Sequence, residues 1–225
     1  MAEAEVWYRR AAETGSVLAT QKLGGICVDS LRPDEAIRWY REGAKSGQSA
    51  AMGNLAVILA RFRHLTEAEA WFRKAADAGD VGAMYGLGHL LRQKGDPEAE
   101  TWYARSADAG DPEGMSSLGN LLLERGDADE ADHWYRKAIA EGSSSATYNL
   151  GCMYMKHGQL TKAKLWYRKA LERGDPRAQQ ALDSVVRLRR KRWSAWVLVV
   201  FVAGVAIRWS IERSRRSRAD HSSEA

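Results

Sequence analysis

Five histidines, two cysteines and several adjacent acids are the side chains here that could bind a metal or serve as nucleophile, acid or base. Their spacing argues against each role. His64, His89, His133, His157 and His221 lie far apart, and none stands at metal-ligand spacing from another histidine or a cysteine. His133 and His157 read as surface or boundary residues. Cys27 and Cys152 are single residues on apolar helical columns, the pattern of buried free thiols rather than of a disulfide framework. Acid pairs such as Asp129–Glu130 stand where helices start, and no second group converges on them for general acid–base work. The glycines follow a long period instead of clustering into a phosphate loop. The expectation is a chain with no catalytic residue, no metal and no cofactor. Trp-Tyr pairs could line an aromatic ligand cage, but their regular recurrence points to core packing.

That recurrence organises the chain. Trp7, Trp39, Trp71, Trp102, Trp134 and Trp166 are separated by 32, 32, 31, 32 and 32 residues, and each is followed by Tyr, or by Phe72 in the third unit. A fixed period in this range marks an array in which each unit is one supersecondary element stacked on its neighbours. Three residues before each Trp stands Ala4, Ala36, Ala68, Ala99, Ala131 or Ala163, and one residue earlier an acid in every unit except at Lys162. Small or aliphatic pairs such as Ala75-Ala76 follow the aromatics. Offsets of 0, 3, 4, 7 and 8 counted from the alanine trace one stripe on a helix, called B here. The leading Glu suits the positive end of its dipole.

Eight residues after each Trp is Gly15, Gly47, Gly79, Gly110, Gly142 or Gly174, suited to closing a helix with positive φ. Asp80, Asp111 and Asp175, or Ser16 and Ser143, follow and can cap the next helix, A. Helix A carries Leu sixteen residues after each Trp: Leu23, Leu55, Leu87, Leu118, Leu150 and Leu182. Beside it stands Gly24, Gly88, Gly119 or Gly151, whose recurrence mid-helix predicts close helix contact. The four prolines, 33, 97, 112 and 176, all fall where a helix could start.

The composite motif E-A-x-x-W-Y-R-K-A-x-x-x-G-D-x-x-A-x-x-x-L-G is clearest over residues 98–119, 130–151 and 162–178. It resembles the Sel-one-like repeats, a branch of the tetratricopeptide superfamily, over about residues 1–186. The first three units are looser: Ala56 replaces the Gly beside the Leu, and Arg63 or His64 stands where Gly126 and Gly158 mark the turn from A to B. The resemblance implies an all-α fold, a right-handed α-solenoid of stacked helix pairs, and a scaffold or adaptor whose A helices line a concave groove for a protein or peptide ligand. Alignment on the Leu-Gly pair places Tyr85, His89, Arg92, Asn120, Glu124, Tyr148 and Lys156 at positions that face this groove in the superfamily; ordinary solvated helix faces are the alternative. About twelve helices of 10–14 residues and no strand are expected, with Trp102 and Trp134 largely buried. The first Trp lies near Met1, so the array is expected to begin at a helix B with a frayed, uncapped face, which leaves a homo-oligomer through that face open.

The tail is of another kind. Residues 193–207, WSAWVLVVFVAGVAI, carry no charge. Counted through Ile211 the segment would span roughly 28 Å as a helix, against a bilayer core of about 30 Å. Trp193, Trp196 and Trp209 would form an interfacial belt and Arg208 could snorkel. A core helix is the alternative. Residues 187–192 form a basic juxtamembrane segment suited to anionic headgroups, and 212–225 a basic polar tail. Residues 1–186 have net charge −2 and residues 187–225 net +7, so the basic balance comes from the tail and nucleic-acid binding by the repeats has no support. Nothing breaks the helical pattern between Val186 and Trp193, so one helix is expected from about Pro176 to about Arg216.

These features predict an array at residues 1–186, on the cytoplasmic side of a membrane, with a single-pass anchor at 193–211. Its function would be a membrane-anchored scaffold mediating protein–protein interaction. A non-catalytic regulatory or recruiting subunit of a membrane-associated enzyme complex is the alternative. A hydrolase acting on peptidoglycan or protein would need a nucleophile–base pair that does not appear.

Overall fold

The computed structural model of the chain describes residues 2–190. Eleven helices are α1 (Ala2–Glu13), α2 (Val17–Asp29), α3 (Pro33–Lys45), α4 (Ser49–Arg61), α5 (Leu65–Asp77), α6 (Val81–Lys94), α7 (Glu98–Asp108), α8 (Pro112–Arg125), α9 (Ala128–Ala140), α10 (Ser144–Lys156) and α11 (Leu160–Glu172). A twelfth helical segment, α12, covers residues 177–190. No strand occurs among the described residues. Odd-numbered helices are the B elements of the repeat and even-numbered ones the A elements. The stacked helix pairs make an all-α solenoid.

The chain forms two compact units, residues 1–150 and 151–225. In the first, each helix from α1 to α9 packs against the next in sequence. In the second, α10 and α11 meet where an added Cβ at Gly151 would fall 2.7 Å from the Tyr167 ring. Among the described residues no helix is long and apolar enough to cross a membrane. The proposed span at 193–211, the basic tail and most of the predicted helix 176–216 lie outside them. The described part of that helix starts at residue 177, just after Pro176.

Turn chemistry sets the stacking. At each turn from B to A, the glycine eight residues after the Trp takes a φ between 81° and 95°. A left-handed backbone there costs other residues roughly 1–2 kcal/mol. Ser16, Asp80, Asp111 and Ser143 then accept the N–H three residues on, at 3.4, 2.8, 2.7 and 3.1 Å. Gly95, Gly126 and Gly158 make the other turn, from A to B, but in the first two such turns Leu31 (φ 56°) and Arg63 (φ 68°) take the left-handed conformation themselves. The irregular early units thus reach the same geometry with strained residues.

One cap is missing. Gln48 occupies the column of Ser16 and Asp80 but makes no side-chain cap bond to α4. Its Oε1 is buried without a hydrogen-bond partner. A Gln side chain is one methylene too long for the cap geometry, so α4 keeps an unsatisfied first turn. Gln48→Asp is expected to stabilise the fold by about 1 kcal/mol, read as a higher urea midpoint at unchanged slope. An unchanged or lower midpoint would contradict this account.

The core runs along the aromatic residue after each Trp. Tyr40, Phe72, Tyr103, Tyr135 and Tyr167 are all buried, as are Ala36, Ala68, Ala99, Ala131 and Ala163. Trp102 and Trp166 are buried too, but Trp134, expected to be largely buried, is only partly so, and Trp7 is exposed. The Trp stands at the edge of the stripe and the Tyr at its centre. The outer face of the indole is covered by a cation three residues on: Lys74 over Trp71, Arg105 over Trp102, Lys137 over Trp134 and Lys169 over Trp166, at 4.5–4.7 Å. Cys27 is buried as expected, and its thiol titrates higher because of that burial. Cys152 is only half-buried: it stands two residues after Leu150, off the core stripe, where it accepts the Tyr167 hydroxyl at 3.3 Å.

Each recurrent glycine of helix A lies under the next Tyr ring. A Cβ at Gly24 would collide with the Tyr40 ring, at Gly88 it would meet Tyr103 at 2.8 Å, and at Gly119 Tyr135 at 2.9 Å. Ala56 fills this position in α4, and the ring of Phe72 also lies against Gly86 of α6.

The acid column also gains a second role. Arg9 reaches Glu35 at 2.9 Å, Arg41 reaches Glu67 at 2.7 Å, and Arg73 reaches Glu98 at 2.8 Å. These rungs join each B helix to the B helix of the next repeat. Arg73, with the Trp102 indole N–H, holds the Glu98 carboxyl down at about 2. Ala104 and Lys162 interrupt the columns in later units. Exposed pairs of this kind set register more than they stabilise.

Candidate protein-binding face

The even helices present the positions two, five and six residues after each column Leu. On α6 and α8 these are His89, Arg92, Asn120 and Glu124. Arg92 Nη2 donates to both carboxylate oxygens of Glu124, at 2.6 and 2.7 Å, bridging the two helices across 32 residues of sequence. Tyr85 is half-buried, 6.3 Å from the His89 ring and 6.0 Å from that of Tyr103. Burial raises the pKa of both hydroxyls, that of Tyr103 to about 12, so both remain neutral donors. His89 is exposed, with Nδ1 3.3 Å from Gln93 Nε2. Asn120 accepts the Tyr135 hydroxyl at 2.7 Å and the Asn149 amide at 3.3 Å, which ties its oxygen to the joint rather than to a ligand. A small cavity of about 280 Å³ opens between His89, Arg92, Ser117 and Asn120.

The structure therefore brings Tyr85, His89, Arg92, Asn120 and Glu124 together. Tyr148 is half-buried on α10. Lys156 is exposed at the end of α10 and belongs to the second unit. Among the described residues no group of His, Cys, Asp or Glu could hold a metal ion.

Sequence reasoning missed a neighbouring cluster. At equivalent register positions of α2 and α4 stand Val28, Val57 and Arg61, and they line a cavity of about 580 Å³ with Leu31, Tyr40 and Phe62. Leu31 is 84 % exposed, Val57 57 % and Phe62 45 %. Exposed apolar side chains gathered around one cavity are a candidate interaction patch. The signal was available: applying the His89 and Asn120 offset to Leu55 gives Val57.

A stack of helix hairpins with such a face is a helical-repeat scaffold, a fold typical of protein–protein interaction. The chain belongs to the tetratricopeptide repeat family, whose model matches residues 28–83 and 117–178. A Sel1 repeat model matches residues 1–16 and 81–111. Among solved structures it is similar to c5321, a protective antigen of uropathogenic Escherichia coli strains with an SLR fold, at 29% identity and a TM-score of 0.69 over 79% of this chain. The match spans 43% of c5321. A Sel1 repeat protein from Oxalobacter formigenes is 28% identical, with a TM-score of 0.64 over 74% of this chain and 75% of that one. YrrB, a TPR protein with an unusual peptide-binding site, shares the fold at 21% identity and a TM-score of 0.55, covering 79% of this chain and 96% of its own. No curated protein matches the sequence.

Proposed function

We propose that the chain is a membrane-anchored scaffold that holds a peptide segment of a partner protein on the face of its even helices. The observation that carries this reading is the exposed apolar cluster at Leu31, Val57 and Phe62 around the cavity over Tyr40. It suits one apolar anchor side chain, with Arg61 at the rim for a carboxylate on the same segment. The polar group at Tyr85, His89, Arg92 and Glu124 would read the segment further along. Repeat proteins of this kind bind protein or peptide partners, and YrrB is itself described by its peptide-binding site. The anchor rests on the uncharged run at 193–207 between basic flanks.

Val57→Glu is exposed and should leave the melting temperature within about 2 °C, since surface changes of this kind cost little. It should weaken partner capture by about tenfold or more in pull-downs with the full chain. Photo-crosslinkers at Val57 and Phe62 should map to one segment of the captured protein. Unchanged capture by Val57→Glu would rule out this face. For the anchor, the full chain should stay with membranes through 1 M salt, and release by salt would leave only a peripheral basic tether.

A further inference from the structure

Among the described residues, two helix faces are open where the equivalent faces are closed. On the even helices, the position four residues after the column Leu is buried at Cys27, Leu59, Leu91, Leu122 and Tyr154, because the following odd helix packs over it. On α12 the same position, Val186, is 52 % exposed. With Leu160 and Val185 it lines a cleft of about 1040 Å³ along α11, bordered by Lys162, Lys164 and Arg189. On the odd helices, the alanine three residues before the Trp is at most 4 % exposed in five units. In α1 it is Ala4, which is exposed, and the Tyr8 that should be core is only half-buried. Among the described residues no helix covers either face, and α1 packs its other side on α2.

We propose that α1 of a second copy of this chain docks on residues 177–190, rebuilding between molecules the even–odd joint that recurs within one. The two faces are the two halves of that joint, so they are complementary in kind. Charge agrees with shape. Each internal rung pairs the Arg two residues after one Trp with the Glu four residues before the next, as in Arg41 and Glu67. Arg168 and Glu3 are the end members of these columns, both exposed, and docking would pair them. Register agrees as well. The Tyr135 hydroxyl donates to Asn120 and the Tyr167 hydroxyl to Cys152, each two residues after the column Leu. Tyr8 would find Ser184 at that position.

One residue makes this joint weaker than the internal ones. Asp183 stands where Gly24, Gly88, Gly119 and Gly151 lie under the Tyr ring. The α4 joint accepts no more than the methyl of Ala56 there, and a carboxylate is larger and charged. The contact is therefore reversible, and because it is head-to-tail it generates open chains rather than a closed dimer.

Sedimentation of the full chain in detergent solution tests this. The wild type should show a concentration-dependent series of species. Ala4→Glu and Val186→Asp change residues exposed in the single chain, and each alone should sediment as a monomer. Mixed in equal amounts they should give a discrete 1:1 dimer, since each variant keeps the face the other has lost. Asp183→Gly should tighten association at least fivefold. A monomeric wild type overturns the proposal, and so does a mixture that stays monomeric. Persistent self-association of Val186→Asp would also overturn it, since that outcome means a symmetric contact through α1 alone.

Discussion

Tyr135→Ala should destabilise the protein by about 3–5 kcal/mol, the range for removing a large aromatic from a close-packed core. Tyr135 is fully buried, with its ring over Gly119 and its hydroxyl on Asn120. Truncation would leave a cavity at the α8–α9 joint and remove a donor from Asn120. Tyr135→Phe separates the two contributions and should cost about 1 kcal/mol. Trp134→Ala, despite the larger side chain, should cost less than Tyr135→Ala, about 2 kcal/mol, because Trp134 is only half-buried and its outer face rests on Lys137. In a repeat array each unit contacts only its neighbours, so the loss should appear first in hydrogen exchange of α8 and α9. Urea unfolding in which Trp134→Ala costs more than Tyr135→Ala would show that the Trp column carries the core.

That inversion of Trp and Tyr shows where the sequence was informative. Helix number, type and order followed from columns of like residues, and the turns from Gly, Ser and Asp whose roles are local. Ser16, Asp80 and Gly79 need no partner outside their own turn, so their function can be read in one dimension. A helical stripe, by contrast, does not say which of two adjacent apolar offsets points to its centre. Only the packed partner decides that, here a glycine fifteen or sixteen residues upstream of each Tyr. The Arg–Glu rungs were visible as two separate columns, yet their pairing spans 25–26 residues and needs the stacked geometry. Of the binding face, the polar residues on α6 and α8 could be aligned because their Leu-Gly pairs are intact. The apolar cluster at Leu31, Val57 and Phe62 lies in the loosest units, where Ala56 and Arg63 obscure the register. Arg63 adopts the glycine's own conformation, which a residue type alone does not announce.

The glycine under each Tyr makes the second large effect, and it acts against helix propensity. Gly119→Ala in mid-helix would by propensity alone stabilise α8 by about 1 kcal/mol. The added methyl, however, would stand 2.9 Å from Cε1 and 3.0 Å from Cδ1 of Tyr135. Overpacking a buried contact costs about 1–3 kcal/mol, so Gly119→Ala should be destabilising on balance by about 1–2 kcal/mol. The sign should reverse once the ring is gone. In a Tyr135→Ala background, Gly119→Ala should be neutral or stabilising by about 1 kcal/mol, because propensity remains and the clash does not. The coupling in this double-mutant cycle isolates the ring–methyl contact from every other effect of either change. Equal costs of Gly119→Ala in both backgrounds would mean that the glycine is there for backbone reasons, and that the Tyr does not need the space beneath it.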